Sequence, residues 1–168
     1  DEQVYAKLAD AHWARSEHEH AYRCFLQQLR RDPGDTGSLL DLGNLLVEMG
    51  RTLEAAEKFR RAIEIDPSNA EAHLYLGELA LKSGHTEAAS QALRRSMEFD
   101  DNLPGVRTKL ASVRMRQGRE TEARRLIAEE LRLNQPTMEP APRQRAELGE
   151  ILLELNLPVE AVSIYRKL

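Results

Sequence analysis

Three histidines and one cysteine near the N-terminus are the residues whose types best suit metal binding or nucleophilic chemistry. His12 is followed by His18 and His20, and Cys24 comes four residues later. Histidines in a turn can ligate a metal ion, but this spacing assigns no third ligand. No basic residue is placed to activate the cysteine. We therefore predict polar turn histidines, a structural Cys24, and neither a metal site nor a cofactor.

Sequence motifs of catalytic sites are missing from the 168 residues. There is no Gly-rich phosphate loop, no G-x-S-x-G and no H-E-x-x-H, which are the common signatures of nucleotide, acyl-transfer and zinc chemistry. We predict that the chain is not an enzyme and carries no catalytic residue.

The charge balance argues against a nucleic acid partner, and the polarity of the chain argues against insertion into a membrane. The chain has 24 Lys+Arg, 28 Asp+Glu, a net charge of −4 and only 5% aromatic residues, so it offers neither attraction for a polyanion nor stacking platforms. The pairs Arg60-Arg61 and Arg94-Arg95 are interpreted as a solvated surface, with Glu57 spaced to pair with Arg61. No apolar run is long enough to span a bilayer. These features predict a soluble protein and favour the cytoplasm without deciding the compartment.

The elements that would position any site repeat every 34 residues. Small and large apolar residues recur at that period, and a turn position recurs between them: Ala21, Ala55, Ala89 and Ala123; Leu8, Leu42, Leu76 and Leu110; Ser16, Gly50, Gly84 and Gly118. Ala, Leu, Glu and Arg dominate and are strong helix formers. Each period is therefore predicted to be a helix, a tight turn and a second helix. The glycines, and Asn156, suit the left-handed residue that ends a helix.

The repeat resembles the tetratricopeptide repeat family. The second copy carries the full pattern, Leu39-x-x-Leu42-Gly43-x-x-Leu46, then Ala55-x-x-x-Phe59 and Pro67. The resemblance implies an all-α, right-handed α-solenoid (superhelix) of antiparallel helix-turn-helix repeats, as one domain over 1–168. Five repeats are expected at 2–35, 36–69, 70–103, 104–137 and 142–168, with a four-residue insertion in the Pro-rich loop 134–142. Arg107 and Arg114 replace large apolar residues, so we expect the first helix of the fourth repeat to pack less tightly.

The resemblance also implies a partner-binding surface, because the first helix of each tetratricopeptide repeat lines the concave face. The implied contact residues are Asp10, Trp13, Leu40, Asn44, Val47, Leu74, Glu78, Leu81, Thr108, Ser112 and Met115. About half of the apolar ones are equally compatible with packing between repeats. Acidic candidates outnumber basic ones: Asp10, Glu48, Glu71, Glu78, Glu150 and Glu154 against Lys82, Arg116 and Arg143. Only Asn44 matches the basic and asparagine clamp that grips chaperone C-termini, so that role is rejected.

We therefore predict a protein-protein interaction scaffold that binds an extended peptide or a helix with some basic character along the concave groove. Two alternatives remain open. The chain could be the substrate-recruiting arm of a larger enzyme such as a glycosyltransferase, or it could self-associate through exposed repeat ends. The abrupt ends of the sequence favour a piece of a longer protein or packing between copies. The preference for Arg over Lys is compatible with a bacterial source.

Overall fold

The computed structural model describes residues 3–133 and 142–157, and this part of the chain forms nine α-helices and no strand. The helices are α1 Val4–Ala14, α2 His18–Arg31, α3 Thr36–Glu48, α4 Thr52–Ile65, α5 Ala70–Lys82, α6 Thr86–Phe99, α7 Val106–Arg116, α8 Glu120–Leu133 and α9 Pro142–Glu154. No helix within these ranges is both long and apolar enough to span a membrane. The expected loop at 134–142 lies outside the described residues apart from Pro142, which begins α9.

The chain divides into two compact units, unit 1 (Asp1–Leu79) and unit 2 (Ala80–Leu168). In unit 1, α1 packs on α2, α2 on α3 and α3 on α4. In unit 2, α6 packs on α7, and α7 also contacts α8 and α9. Neighbouring helices along the chain therefore pack on one another, as helix-turn-helix repeats require.

The predicted left-handed turn residues are confirmed. Ser16 has φ 59°, Asn156 has φ 55°, and the three turn glycines have φ between 71° and 78°. In each turn, the residue that follows the left-handed one donates its backbone N–H to the carbonyl oxygen five positions earlier. For example, Arg51 N donates to Leu46 O at 2.8 Å. This hydrogen bond closes the Schellman motif that ends a helix. The same helix stop thus recurs in every repeat.

Gly43 shows why a small residue is needed where two helices cross. A Cβ added to Gly43 would lie 2.9 Å from Cδ1 of Phe59 and closer still to two other atoms of that ring. Phe59 is fully buried and its ring stacks on Tyr75, with centroids 5.1 Å apart. The close approach of α3 and α4 therefore depends on a missing side chain.

The connections between repeats are held by a recurring aspartate that the repeat search did not single out. Asp32, Asp66 and Asp100 follow α2, α4 and α6, and each accepts a backbone N–H from two residues ahead at 2.9 to 3.0 Å. Side chains of this type stabilise turns by imitating a backbone hydrogen bond. These aspartates are therefore assigned to the fold.

The expectation that α7 packs loosely is wrong. Arg107 and Arg114 are 4% and 3% exposed. Arg107 Nη2 donates to Oδ1 of Asp101 at 2.6 Å, while Arg114 lies 2.9 Å from Glu122 and donates to Oγ of Ser90 at 3.1 Å. Their aliphatic stems fill the space of an apolar residue and their charged heads find partners.

Candidate partner-binding surface

The first helices of unit 1 bring together a group of carboxylates, which we call the acidic face: Asp10 from α1, Asp41 and Glu48 from α3, and Glu71 and Glu78 from α5. Asp10 and Glu71 both act electrostatically on Asp41, and Glu71 and Glu78 both act on Tyr75 beside it. Asp10 and Glu48 line one pocket. The acidic candidates of α1, α3 and α5 therefore lie on one surface of unit 1.

Asp41 interacts electrostatically with Asp10 and Glu71 of the acidic face and was missed by the sequence analysis. Burial raises the pKa of its carboxyl to about 6, and the carboxylates of Asp10, Asp35 and Glu71 act in the same direction. The charged groups that act on Asp41 within the described chain are thus all acidic. A carboxylate held in this way is stabilised by a cation brought in from outside.

Asn44 and Tyr75 form a polar pair next to Asp41. The side chain of Asn44 hydrogen-bonds the hydroxyl of Tyr75. Burial raises the pKa of that phenol and the hydrogen bond opposes the shift. Because the phenol stays protonated at neutral pH, the pair keeps both donor and acceptor capacity for a peptide backbone. Tyr75 stands 34 residues after Asp41, at the equivalent position of the next repeat. A comparison of that position between repeats could have indicated both residues.

The apolar residues predicted for the groove are less open than the polar ones. Leu40 and Leu74 are buried at 7% and 8% exposure. Val47 is half-buried and packs against the core of unit 1. Leu40 and Leu74 therefore belong to the packed interior, and the predicted residues of unit 1 that reach solvent are Asp10, Trp13, Asn44, Val47 and Glu78.

Trp13 lies at the end of α1 and contacts α3. Its Nε1 donates to Oε2 of Glu48 at 2.7 Å, and Nε2 of His18 lies 3.7 Å from the same oxygen. The indole also meets the buried ring of Phe25 edge-on, with centroids 6.3 Å apart. The predicted contacts Asp10 and Trp13 are therefore brought together with Glu48 in unit 1.

The predicted residues of unit 2 are mostly engaged within that unit. Leu81 and Thr108 are buried. Ser112 donates to the carbonyl of Thr108 at 3.3 Å, and Met115 packs against the core of unit 2. Arg116, a basic groove candidate, donates to the carbonyl of Leu81 at 2.7 Å. This part of the predicted contact set consequently has fewer side chains at the surface than the part in unit 1.

The N-terminal histidines are paired with protein groups. His12 Nδ1 lies 2.6 Å from Oε2 of Glu17, and its ring stacks on His20 with centroids 5.3 Å apart. Among the side chains that the structure describes, no group of three His, Cys, Asp or Glu is arranged to hold a metal ion. Cys24 is half-buried, and burial raises the pKa of its thiol, which disfavours the reactive thiolate.

The two arginine pairs lie on exposed helix surface. Arg61 bonds Glu64 at 2.8 Å and Arg95 bonds Glu98 at 2.8 Å, both three residues ahead on the same helix. The structure therefore gives Arg61 a different partner from the Glu57 that its spacing indicated. Each arginine pair thus has a carboxylate neighbour at the surface.

Comparisons with known proteins agree with this architecture. Two family models described as tetratricopeptide repeat match residues 46–104 and 108–168. No curated protein matches the chain in sequence.

Several solved structures share the fold at low sequence identity. A thermophilic tetratricopeptide protein of Thermus thermophilus has a TM-score of 0.81 at 20% identity, over 99% of this chain and 89% of that one. PilF of Pseudomonas aeruginosa has a TM-score of 0.78 at 22% identity, over 98% and 73%. MamA of Desulfovibrio magneticus RS-1 has a TM-score of 0.73 at 16% identity, over 99% and 92%. The similarity confirms the predicted fold class, an α-solenoid of helix-turn-helix repeats.

This fold is generally a non-catalytic module for protein interaction, which supports a scaffold role in general terms. The 34-residue period, the repeated helix stops, the glycine at the helix crossing and the two family matches all agree. The chain belongs to the tetratricopeptide repeat family.

Proposed function

We propose that this chain is a scaffold that binds an extended or helical segment of a partner protein, rich in basic residues, on the acidic face of unit 1. The observation that carries the proposal is Asp41. Its carboxyl is half-buried, and burial together with the carboxylates of Asp10, Asp35 and Glu71 raises its pKa to about 6. A Lys or Arg side chain placed there would relieve that repulsion, so the free energy of binding includes the recovery of an unfavourable charge.

The rest of the acidic face supplies what a peptide requires besides charge. Asn44 and Tyr75 offer an amide and a hydroxyl at the surface next to Asp41, and such groups can pair with the backbone of an extended segment. Leu40 and Leu74, on the helices that carry these two groups, are buried. Electrostatics then contributes partner choice and association rate.

The proposal is tested by fluorescence anisotropy with a labelled peptide of alternating Ala and Arg. Glu71→Gln with Glu78→Gln removes two charges from the acidic face, and we expect the affinity to fall about threefold to tenfold, as two partly exposed charge contacts predict. The matched control, Glu57→Gln with Glu64→Gln, removes two charges from α4 and should leave affinity unchanged.

The pH dependence gives a second test of the same proposal. A bound cation favours the ionised form of Asp41, so binding releases a proton from it, and affinity should rise as the pH passes upward through about 6. Added salt should weaken binding. The proposal is refuted if the control on α4 loses as much affinity as the Glu71→Gln, Glu78→Gln variant on α5. It is also refuted if an Ala-Glu peptide binds as strongly as the Ala-Arg peptide.

A further inference from the structure

A pocket opens on unit 1 beside the end of α1, at one side of the acidic face. It has a volume of about 420 Å³ and is lined by Asp10, Trp13, Ala14, Ser16, His18 and Glu48. Residues from α1, the following turn, α2 and α3 therefore contribute to one cavity. This size lies at the lower end of the range of small-ligand sites, and suits a single long side chain with its hydration.

The aromatic wall of the pocket is fixed in the unbound protein. The Trp13 indole is held at its N–H by Glu48, at 2.7 Å, and at its ring by the fully buried Phe25. Two anchors on different helices remove most of the rotational freedom of this half-buried side chain. A ligand that stacks on the indole would not have to order it first.

The polar wall of the pocket carries two carboxylates. Asp10 lies one helical turn before Trp13, and Glu48 comes from α3. Neither Lys nor Arg lines the cavity, and the one basic side chain present is His18, 3.7 Å from Glu48. Two acidic groups beside an aromatic ring provide both the ion-pair and the cation–π attraction that a positively charged side chain uses.

Ser16 is the third unusual feature of the pocket. The equivalent turn residues are Gly50, Gly84, Gly118 and Asn156, so Ser16, with φ 59°, is one of two that hold this conformation with a side chain attached. A left-handed conformation is strained for a residue other than glycine. In exchange, the serine side chain becomes part of the pocket wall, where its hydroxyl can accept a hydrogen bond from a ligand.

We infer that this pocket binds one arginine side chain of the partner segment, an inference that rests on the proposed function. A planar guanidinium can stack on Trp13 while its N–H groups donate to Asp10 and Glu48 on either side. Lysine has the charge but not the planar, forked arrangement of donors. The pocket therefore selects arginine over lysine at one position and fixes the register of the bound segment.

Trp13 allows a direct test, because it is the only tryptophan of the chain. The probe is the capped tripeptide Ala-Arg-Ala, titrated while the indole emission is recorded. We expect a saturable change with half-saturation on the order of 1 mM, as expected for one side chain. Ala-Lys-Ala should bind several times more weakly, and the tripeptide with neutral citrulline in place of arginine should give no saturable change.

Glu48→Gln is the matched variant, since its amide oxygen can still accept from the Trp13 N–H while the charge is lost. We expect it to lower the affinity for Ala-Arg-Ala about fivefold to tenfold, whereas Glu57→Gln on α4 should leave that affinity unchanged. Far-ultraviolet circular dichroism verifies that both variants are folded. Equal binding of the arginine and citrulline probes, or full affinity in Glu48→Gln, would overturn the inference.

The outcome can be separated from that of the proposed function. In one outcome, the Ala-Arg peptide binds and Glu71→Gln with Glu78→Gln lowers its affinity, but Trp13 emission does not change and Glu48→Gln binds normally. That outcome supports the acidic face and refutes the arginine pocket. If Ala-Arg-Ala saturates the Trp13 signal and loses affinity in Glu48→Gln, the pocket is supported even where the α5 variant leaves long-peptide binding intact.

Discussion

Replacing Asp41 with asparagine should stabilise unit 1 at neutral pH. The ionised carboxylate is disfavoured there by burial and by Asp10, Asp35 and Glu71. Asparagine has nearly the same shape and no charge, so the substitution removes the repulsion and leaves the packing of α3 in place. A typical substitution at a half-buried polar position is destabilising, which makes a gain in stability a sharp prediction.

The magnitude follows from the shift in pKa. The rise from 3.8 to about 6 is about two pKa units, and each unit corresponds to about 1.4 kcal/mol, so ionised Asp41 costs unit 1 up to about 3 kcal/mol. The folded state holds the proton more tightly than the unfolded state. Protonated Asp41 therefore makes its full contribution to the free energy of unfolding below the pKa that the carboxyl has in the unfolded chain, 3.8. That contribution is lost as the pH rises through about 6.

The assay is urea unfolding followed by the emission of Trp13, which reports on unit 1 because the chain has no other tryptophan. Asp41→Asn and the parent should differ little near about pH 4, and the variant should be more stable by about 1 to 3 kcal/mol above about pH 7. Glu57→Gln serves as the control, with no pH-dependent difference. A gain that is the same at both pH values, or a loss at neutral pH, would refute the electrostatic argument.

Three further substitutions test how the helices pack. Gly43→Ala places a Cβ against the buried Phe59 ring, so we expect a loss of about 2 kcal/mol in the unfolding of unit 1 by Trp13 emission; an unchanged midpoint would mean that α3 and α4 can separate freely. Arg107→Ala empties a buried site and removes the ion pair with the exposed Asp101. We expect a loss of about 3 kcal/mol by circular dichroism, mainly from the cavity that the buried side chain leaves. Arg61→Ala, at an exposed pair, should cost less than about 0.5 kcal/mol, and equal losses would contradict the distinction.

The repeated features of the fold could be predicted from the sequence because each has a local cause. The helix stops at Gly50, Gly84 and Gly118 require a left-handed residue, and Gly43 meets a ring from the adjacent helix. Such requirements recur along the repeats, so periodicity reveals them. The same periodicity misleads where one copy departs from the pattern. Arg107 and Arg114 are an example, because they bond to Asp101 and Ser90 of the preceding repeat.

The acidic face could be predicted only in part. Asp10 and Glu78 were found by transferring the groove positions of the family, but the same transfer selected Leu40 and passed over Asp41 beside it. The side chains of adjacent residues on a helix point in directions about 100° apart. Which of Leu40 and Asp41 is buried therefore depends on how the helix is rotated about its own axis. A pattern of spacings does not fix that rotation, whereas packing against α2 and α4 does.

The position that Asp41 occupies in its repeat supports the proposal that a basic partner binds unit 1. The equivalent residues one and two repeats later are Tyr75 and Lys109. Lys109 forms an ion pair with Glu147 within unit 2, so at this position unit 2 supplies its own counter-charge. Asp41 instead faces further carboxylates. The net charge of −4 is small when averaged over the chain. At this one position, however, the charged side chain of unit 2 is paired within its unit, whereas carboxylates act on Asp41. Under the proposed function, a partner's cation would supply the missing counter-charge in unit 1.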